Sequence, residues 1–314
     1  MDAAFPFLLP PEPELLVLAY AADRVEVFEL FREACAQNQL RLARRLEAVF
    51  GLADWDRRCS DWDRRCSENN TYLSRGALAL FRACEGGHLE VARWLADCFG
   101  LTVADARASD NCALRVACAG GHLGVARWLA DRFGLTADDA LARLNYALCM
   151  ACAGGHQGVA CWLTGRFGLT VEDARMAGDC ALRDASWGGH LGVARWLAGR
   201  FGLTVEDART AENDALHGAC VAGHLRLARW LAGRFGLTGL DARDCGNAAL
   251  RGACERGRLG MTAWLACHFG QPLSGARSMV DYALYVARRS AGLGTVRWLI
   301  GFSAPTPRLG NPAA

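Results

Sequence analysis

Residues 111–141 read NCALRVACAGGHLGVARWLADRFGLTADDAL, and close copies of this text return every 34 residues along most of the chain. The tryptophan series Trp94, Trp128, Trp162, Trp196, Trp230, Trp264 and Trp298 keeps the step without a slip. So do Leu80, Leu114, Leu148, Leu182, Leu216, Leu250 and Leu284, and Ala83, Ala117, Ala151, Ala185, Ala219, Ala253 and Ala287. A fixed period of this length denotes stacked supersecondary units rather than one globular core, and it favours a binding scaffold over an enzyme.

Each copy reads as a pair of helices. Ala113, Leu114, Ala117 and Cys118 form one apolar stripe on a helix of about two turns, with Asn111 predicted as its N-cap. Asn145, Asp179, Asn213, Asn247 and Asp281 hold the same slot. Gly120 and Gly121 break this helix. A second helix is predicted from near His122, with Leu123, Ala126, Leu129, Ala130 and Phe133 on one face and Trp128 widening it. Gly134 follows as a left-handed C-cap, with Leu135 placed for the hydrophobic contact of a Schellman ending. Thr136 with Asp139 then makes a capping-box signal, repeated by Thr102 with Asp105, Thr170 with Asp173, Thr204 with Asp207 and Thr238 with Asp241. It predicts one short turn of helix in each connection.

The pattern A-L-x-x-A-C-x-x-G-H-L-x-V-A-R-W-L resembles the ankyrin repeat. Leu114, Ala117, Gly121, His122, Leu123, Val125 and Leu129 match that family residue by residue. The Thr-Pro pair that opens the family's first helix is Asn-x-Ala here, and F-G-L-T-x-x-D-A-R replaces the segment that forms its β-hairpin. The resemblance implies an all-α, ankyrin-like solenoid of helix pairs, about eight repeats long, with short helical turns or loops in place of hairpin fingers. This F-G-L-T variant looks like the arrays of large DNA viruses of protists. The expected organisation is an N-terminal segment at 1–26, an array at 27–300 and a disordered tail at 301–314. Within the array, a degenerate first repeat (27–52) and an inserted loop (53–76) precede the regular repeats (77–300). The insertion carries DWDRRCS twice, at 54–60 and 61–67, read as a solvated loop. Gln37, Gln39, Arg41, Arg44 and Arg45 suit a polar N-terminal cap, and Arg288, Arg289 and Ser290 a C-terminal one.

Composition narrows the function classes. The chain is 52% hydrophobic with a net charge of +2, which supports neither a disordered chain nor a basic nucleic-acid surface. No apolar run approaches the length of a membrane span, and the first residues make a poor secretory signal. Of the fifteen cysteines, Cys84, Cys118, Cys152, Cys220 and Cys254 share one repeat slot, with Cys35 in the degenerate copy. Neighbouring slots lie ~10 Å apart in packed helices, beyond the about 7 Å a disulfide spans. The series therefore reads as small buried thiols in a reducing, intracellular compartment.

Several patterns that suggest chemistry read better as structure. His88, His122, His156, His190 and His224 come one per repeat, too far apart to share an ion, and the resemblance assigns this histidine to backbone groups of the adjacent loop. Cys149-x-x-Cys152 lacks a second ligand pair and reads as helix packing. The resemblance places the tryptophan ladder in a core slot of the second helix. No phosphate loop, nucleophile elbow or zinc-protease motif occurs. No catalytic residue, cofactor or metal is expected.

The positions that vary from copy to copy are then the informative ones. The resemblance implies a protein partner bound on the concave face made by first helices and loop tips, with the chain a monomer. The candidate partner-binding residues there are Arg115, Arg183, Asp184, Trp187, His217, Arg251 and Glu255. Trp187 stands out as a tryptophan outside the ladder beside Arg183 and Asp184, a hot-spot composition; it could equally fill space left by Ser186 in the cysteine slot. A second expectation concerns residues 1–26, whose opening faintly resembles an F-box: a substrate adaptor recruiting a ubiquitin ligase.

Overall fold

The computed structural model describes residues 24–54 and 74–269. The DWDRRCS insertion almost entirely, residues 1–23, the repeat carrying Trp298 with its polar cap, and the tail fall outside them. The described residues are all-α, with fifteen α-helices, one 3-10 turn and no strand among them. In chain order these are α1 (Arg24–Ala36), α2 (Leu40–Phe50), α3 (Arg75–Glu85), α4 (Leu89–Cys98), α5 (Val103–Ala119) and α6 (Leu123–Phe133). Then come α7 (Ala137–Ala153), α8 (Gln157–Phe167), α9 (Val171–Ala174), α10 (Met176–Trp187) and α11 (Leu191–Phe201). The last are α12 (Val205–Ala222), α13 (Leu225–Phe235), the 3-10 turn Asp241–Arg243, α14 (Asp244–Glu255) and α15 (Leu259–His268). They fall into two compact units, one of residues 24–54, 74–151 and 156–169, the other of 152–155 and 170–269.

Within each unit, first helices stack on first helices and pack second helices, as α3 does α4 and α12 does α13. In the first unit α1 packs on α3 and α3 on α5; in the second α10 packs on α12 and α12 on α14. The small residues of the repeat let these backbones approach. Ala83, Ala117, Ala151, Ala185, Ala219 and Ala253 have no exposed surface. Leu95, Leu129, Leu163, Leu197 and Leu231, on the second helices, are equally sealed. Burial of each such leucine contributes about 1.5–3 kcal/mol.

The tryptophan ladder sits one residue before these leucines and is less buried than a core slot implies. Trp94, Trp128, Trp162, Trp196 and Trp230 are half-buried, and only Trp264, at 9% exposure, reaches the core. Each of four packs edge-on against the phenylalanine that ends its helix: Trp128 on Phe133, Trp162 on Phe167, Trp196 on Phe201 and Trp230 on Phe235, with ring centres 5.7–6.1 Å apart. An indole next to the sealed leucine closes the rim of the core and keeps part of its ring in water.

The second helices end as expected. Gly134, Gly168, Gly202 and Gly236 adopt φ of 62–65°. A Cβ added at Gly134 would meet nothing within 4 Å, so glycine is required there for the left-handed backbone and not for space. The main-chain N–H of Leu135 donates to the Ala130 carbonyl at 3.0 Å, closing the Schellman turn. The predicted short helices follow. Thr102, Thr170 and Thr204 form capping boxes with Asp105, Asp173 and Asp207, and the 3-10 turn starts beside Thr238 with the Asp241 carboxylate accepting from the Thr238 N–H at 2.7 Å.

The asparagine slot is not an N-cap. After the short helix the chain takes one extended residue and then three left-handed ones: Ser109-Asp110-Asn111, Arg143-Leu144-Asn145 and Ala211-Glu212-Asn213, with φ of 51–60°. The asparagine ends this left-handed tip, with 6%, 1% and 3% exposure at Asn111, Asn145 and Asn213. Asparagine is chosen there because it tolerates positive φ better than other side chains.

A contact not legible from spacing joins successive repeats. The arginine of the D-A-R triplet forms a two-pronged pair with the capping-box aspartate 32 residues on: Arg107 with Asp139 at 2.8 and 2.9 Å, Arg175 with Asp207 at 2.7 and 3.1 Å, Arg209 with Asp241 at 2.7 and 3.2 Å. The same carboxylates accept the threonine N–H of their own cap. Burial alone raises these aspartates, but the arginine and threonine hydrogen bonds together outweigh it and hold all three below the usual carboxylate range.

Candidate partner-binding site

Trp187 is the last residue of α10, in a slot that holds alanine at 119 and 153 and valine at 221. The cysteine slot before it is filled by Ser186 itself, which is fully buried and donates its hydroxyl to the Leu182 carbonyl at 2.7 Å. Trp187 itself is 38% exposed. Its indole lies across α12 at Gly218, where an added Cβ would come within 2.5 Å of Nε1. Gly218 is thus the seat of the ring. The Trp187 carbonyl is held from the next repeat, accepting from Nε2 of His224 at 3.2 Å.

Polar groups gather round the ring. Nε1 of Trp187 donates to Oδ1 of Asp214 at 3.4 Å, and the His217 ring stands edge-on at 5.8 Å. Nδ1 of His217 lies 3.5 Å from the same carboxylate. Arg183 donates Nε to Asp184 at 3.1 Å and stands 3.7 Å from Asp214. Burial pushes the Asp184 carboxyl up, and the bond from Arg183 only partly offsets it. The result is an aromatic face on rigid helices, ringed by charges already half removed from water.

Of the seven candidate residues, the structure brings together Arg183, Asp184, Trp187 and His217. Arg251 and Glu255 lie half-buried on α14. Arg115 belongs to the other unit and is buried at 8% exposure, with Nη2 donating to the Ser109 carbonyl at 2.9 Å. Its guanidinium lies 5.4 Å from the centre of the Tyr146 ring. Asp214 and Tyr146 escaped the sequence reading because it followed only two columns of the first helix. Their own column, Cys112, Tyr146, Cys180, Asp214, Ala248, varies as freely and would have exposed them.

The histidine ladder does what its family resemblance implies. Nε2 of His88 lies 2.8 Å from the Ala36 carbonyl and that of His122 lies 3.0 Å from the Glu85 carbonyl. A carbonyl only accepts, so these nitrogens carry the proton and are spent on the neighbouring repeat. The ladder thiols Cys35, Cys84, Cys118, Cys220 and Cys254 are free and buried. Burial pushes them up, to about 12 at Cys35 and Cys220 and to about 11 at Cys254, which leaves them unreactive near neutrality. Cys149 and Cys180 differ: both are disulfide-bonded. This corrects the reading of Cys149 as plain packing, and the reducing-compartment argument covers the ladder alone. No helix among the described residues is long and apolar enough to cross a membrane.

Nothing among curated proteins matches the chain. The family model for ankyrin repeats, in three copies, matches residues 31–139. That stretch runs from α1 to the start of α7 and holds the first three helix pairs, the histidine bonds of His88 and His122 and the left-handed end at Gly134. The ankyrin-repeat match covers residues 31–139, and the described helix pairs beyond it keep the same step and the same pairing.

Proposed function

We propose that the chain is a non-enzymatic scaffold that binds a protein partner inside the cell, through the first helices and loop tips of its array. Ankyrin repeats generally mediate protein–protein interaction, and the chain carries them. The observation that carries the reading is Trp187: an exposed indole, out of register with the packing ladder, seated on Gly218 and surrounded by Arg183, Asp184, Asp214 and His217. Partly dehydrated charges around an aromatic anchor are what a central interface contact requires.

The test compares affinity capture by the intact chain and its Trp187→Ala variant, each quantified by mass spectrometry, alongside thermal unfolding. A hot spot costs about 2 kcal/mol or more, so a true partner's capture drops more than tenfold. The unfolding midpoint falls far less than capture does, because 38% of the residue is already in water. Equal loss of capture and of folded stability would make Trp187 structural.

A further inference from the structure

Among the described residues, Arg115 is a buried cation without a counter-ion. It is 8% exposed, its hydrogen bond goes to a neutral backbone carbonyl, and its Nε has no partner. The repeat two steps on shows what is missing. Arg183 occupies the equivalent slot, and the residue 31 positions after it, Asp214, stands 3.7 Å away. The residue 31 positions after Arg115 is Tyr146, which offers a ring face and no charge. The nearby Asp110 does not supply one, because it is paired with Arg143 at 3.3 Å. Burying an uncompensated charge is costly, and a site that keeps one is ready for an anion.

We propose that Arg115 is the seat for a carboxylate of the protein partner, an aspartate or glutamate side chain that takes the place Asp214 holds beside Arg183. The surroundings define the rest of the occupant. Tyr146 and Leu144 are 43% and 58% exposed, so an acidic residue flanked by apolar ones meets matching surfaces on both sides. The Tyr146 ring lies over the Arg115 guanidinium, 5.4 Å away, in a cation–π contact. A carboxylate reaches the guanidinium by swinging this ring aside. The inference rests on the reading of the array as a protein-binding scaffold, but it uses a different unit from the Trp187 cluster.

The experiment uses the full chain and three fluorescein-labelled peptides, identical except for a central glutamate, glutamine or lysine between two leucines, followed by anisotropy. The expected result is binding of the glutamate peptide at least about tenfold tighter than of the glutamine peptide, the size of one charge-assisted contact. Arg115→Met erases that preference, Arg115→Lys retains part of it, and Arg127→Met, at an exposed arginine of α6, leaves it intact. Arg115→Met also unfolds at the same or a higher temperature, since it removes a buried unpaired charge. Failure of the glutamate peptide to bind, equal binding of all three, or a preference that survives Arg115→Met overturns the proposal. So does a preference abolished by inorganic phosphate, which would assign the seat to the free anion. None of these outcomes touches capture through Trp187, which is measured separately.

Discussion

At the scale of single residues, position within the period separates packing from use. Gly218 illustrates the point. Its slot holds Val116, Met150 and Asp184 in earlier repeats and Gly252 in the next, so the period itself does not demand glycine. The indole of Trp187 does, because an added Cβ would sit 2.5 Å from Nε1. Gly218→Ala should displace the ring while leaving α12 folded. In an NMR spectrum of indole N–H groups, the Trp187 signal, assigned by its absence in Trp187→Ala, should move and the ladder signals should stay. A general collapse of the spectrum would refute the seat. Asp207 is the second case. It is 7% exposed and accepts from Arg175 and from its own cap, so its pKa lies below the usual carboxylate range. A lowered folded pKa means stabilisation that is complete above the unfolded value and lost as pH falls through the folded one. Asp207→Asn should therefore cost about 1–3 kcal/mol at neutral pH. In urea melts the gap between variant and parent should close below about pH 4, near the ordinary carboxylate value. A gap independent of pH would mean the cost comes from packing.

At the scale of the element, the connections hold the strain. Each left-handed tip places three non-glycine residues at positive φ, a conformation costing about 1–2 kcal/mol per residue. Ala211, at φ 51°, is exposed and has no side-chain bond to lose. Ala211→Gly should raise stability by up to about 1 kcal/mol, the backbone relief being partly offset by the greater freedom of the unfolded chain. A loss of stability in the same urea assay would contradict the left-handed assignment. The tips also show where legibility ended. The helices, the glycine ends and the capping boxes were readable, because each follows from local chemistry at fixed spacing. Asn111 was read as an N-cap because asparagine serves both roles, and residue type alone does not report the sign of φ. The pair of Arg107 with Asp139 was illegible for another reason: a separation of 32 residues becomes a contact only once the repeats are stacked. At the candidate site, Trp187 and its charged neighbours were found by their irregularity, whereas the tryptophan ladder, judged by regularity alone, proved half-buried rather than sealed.

At the scale of the whole molecule, a repeat array derives its stability from each unit and its neighbours rather than from one shared core. Leu197, fully sealed on α11, is a fair probe. Leu197→Ala should cost about 2–5 kcal/mol. Hydrogen exchange should show the loss of protection centred on α10 to α13 and weakening towards α1 and α2; uniform loss over all described helices would indicate a single cooperative block. The arginine–aspartate pairs add a direction to this picture. In all three the cation belongs to the earlier repeat and the carboxylate to the later one. A capping box thus receives its counter-charge from chain the ribosome has already made. Each emerging repeat finds its electrostatic template finished and waiting, so growth from the N-terminal end needs no correction of caps left charged and alone.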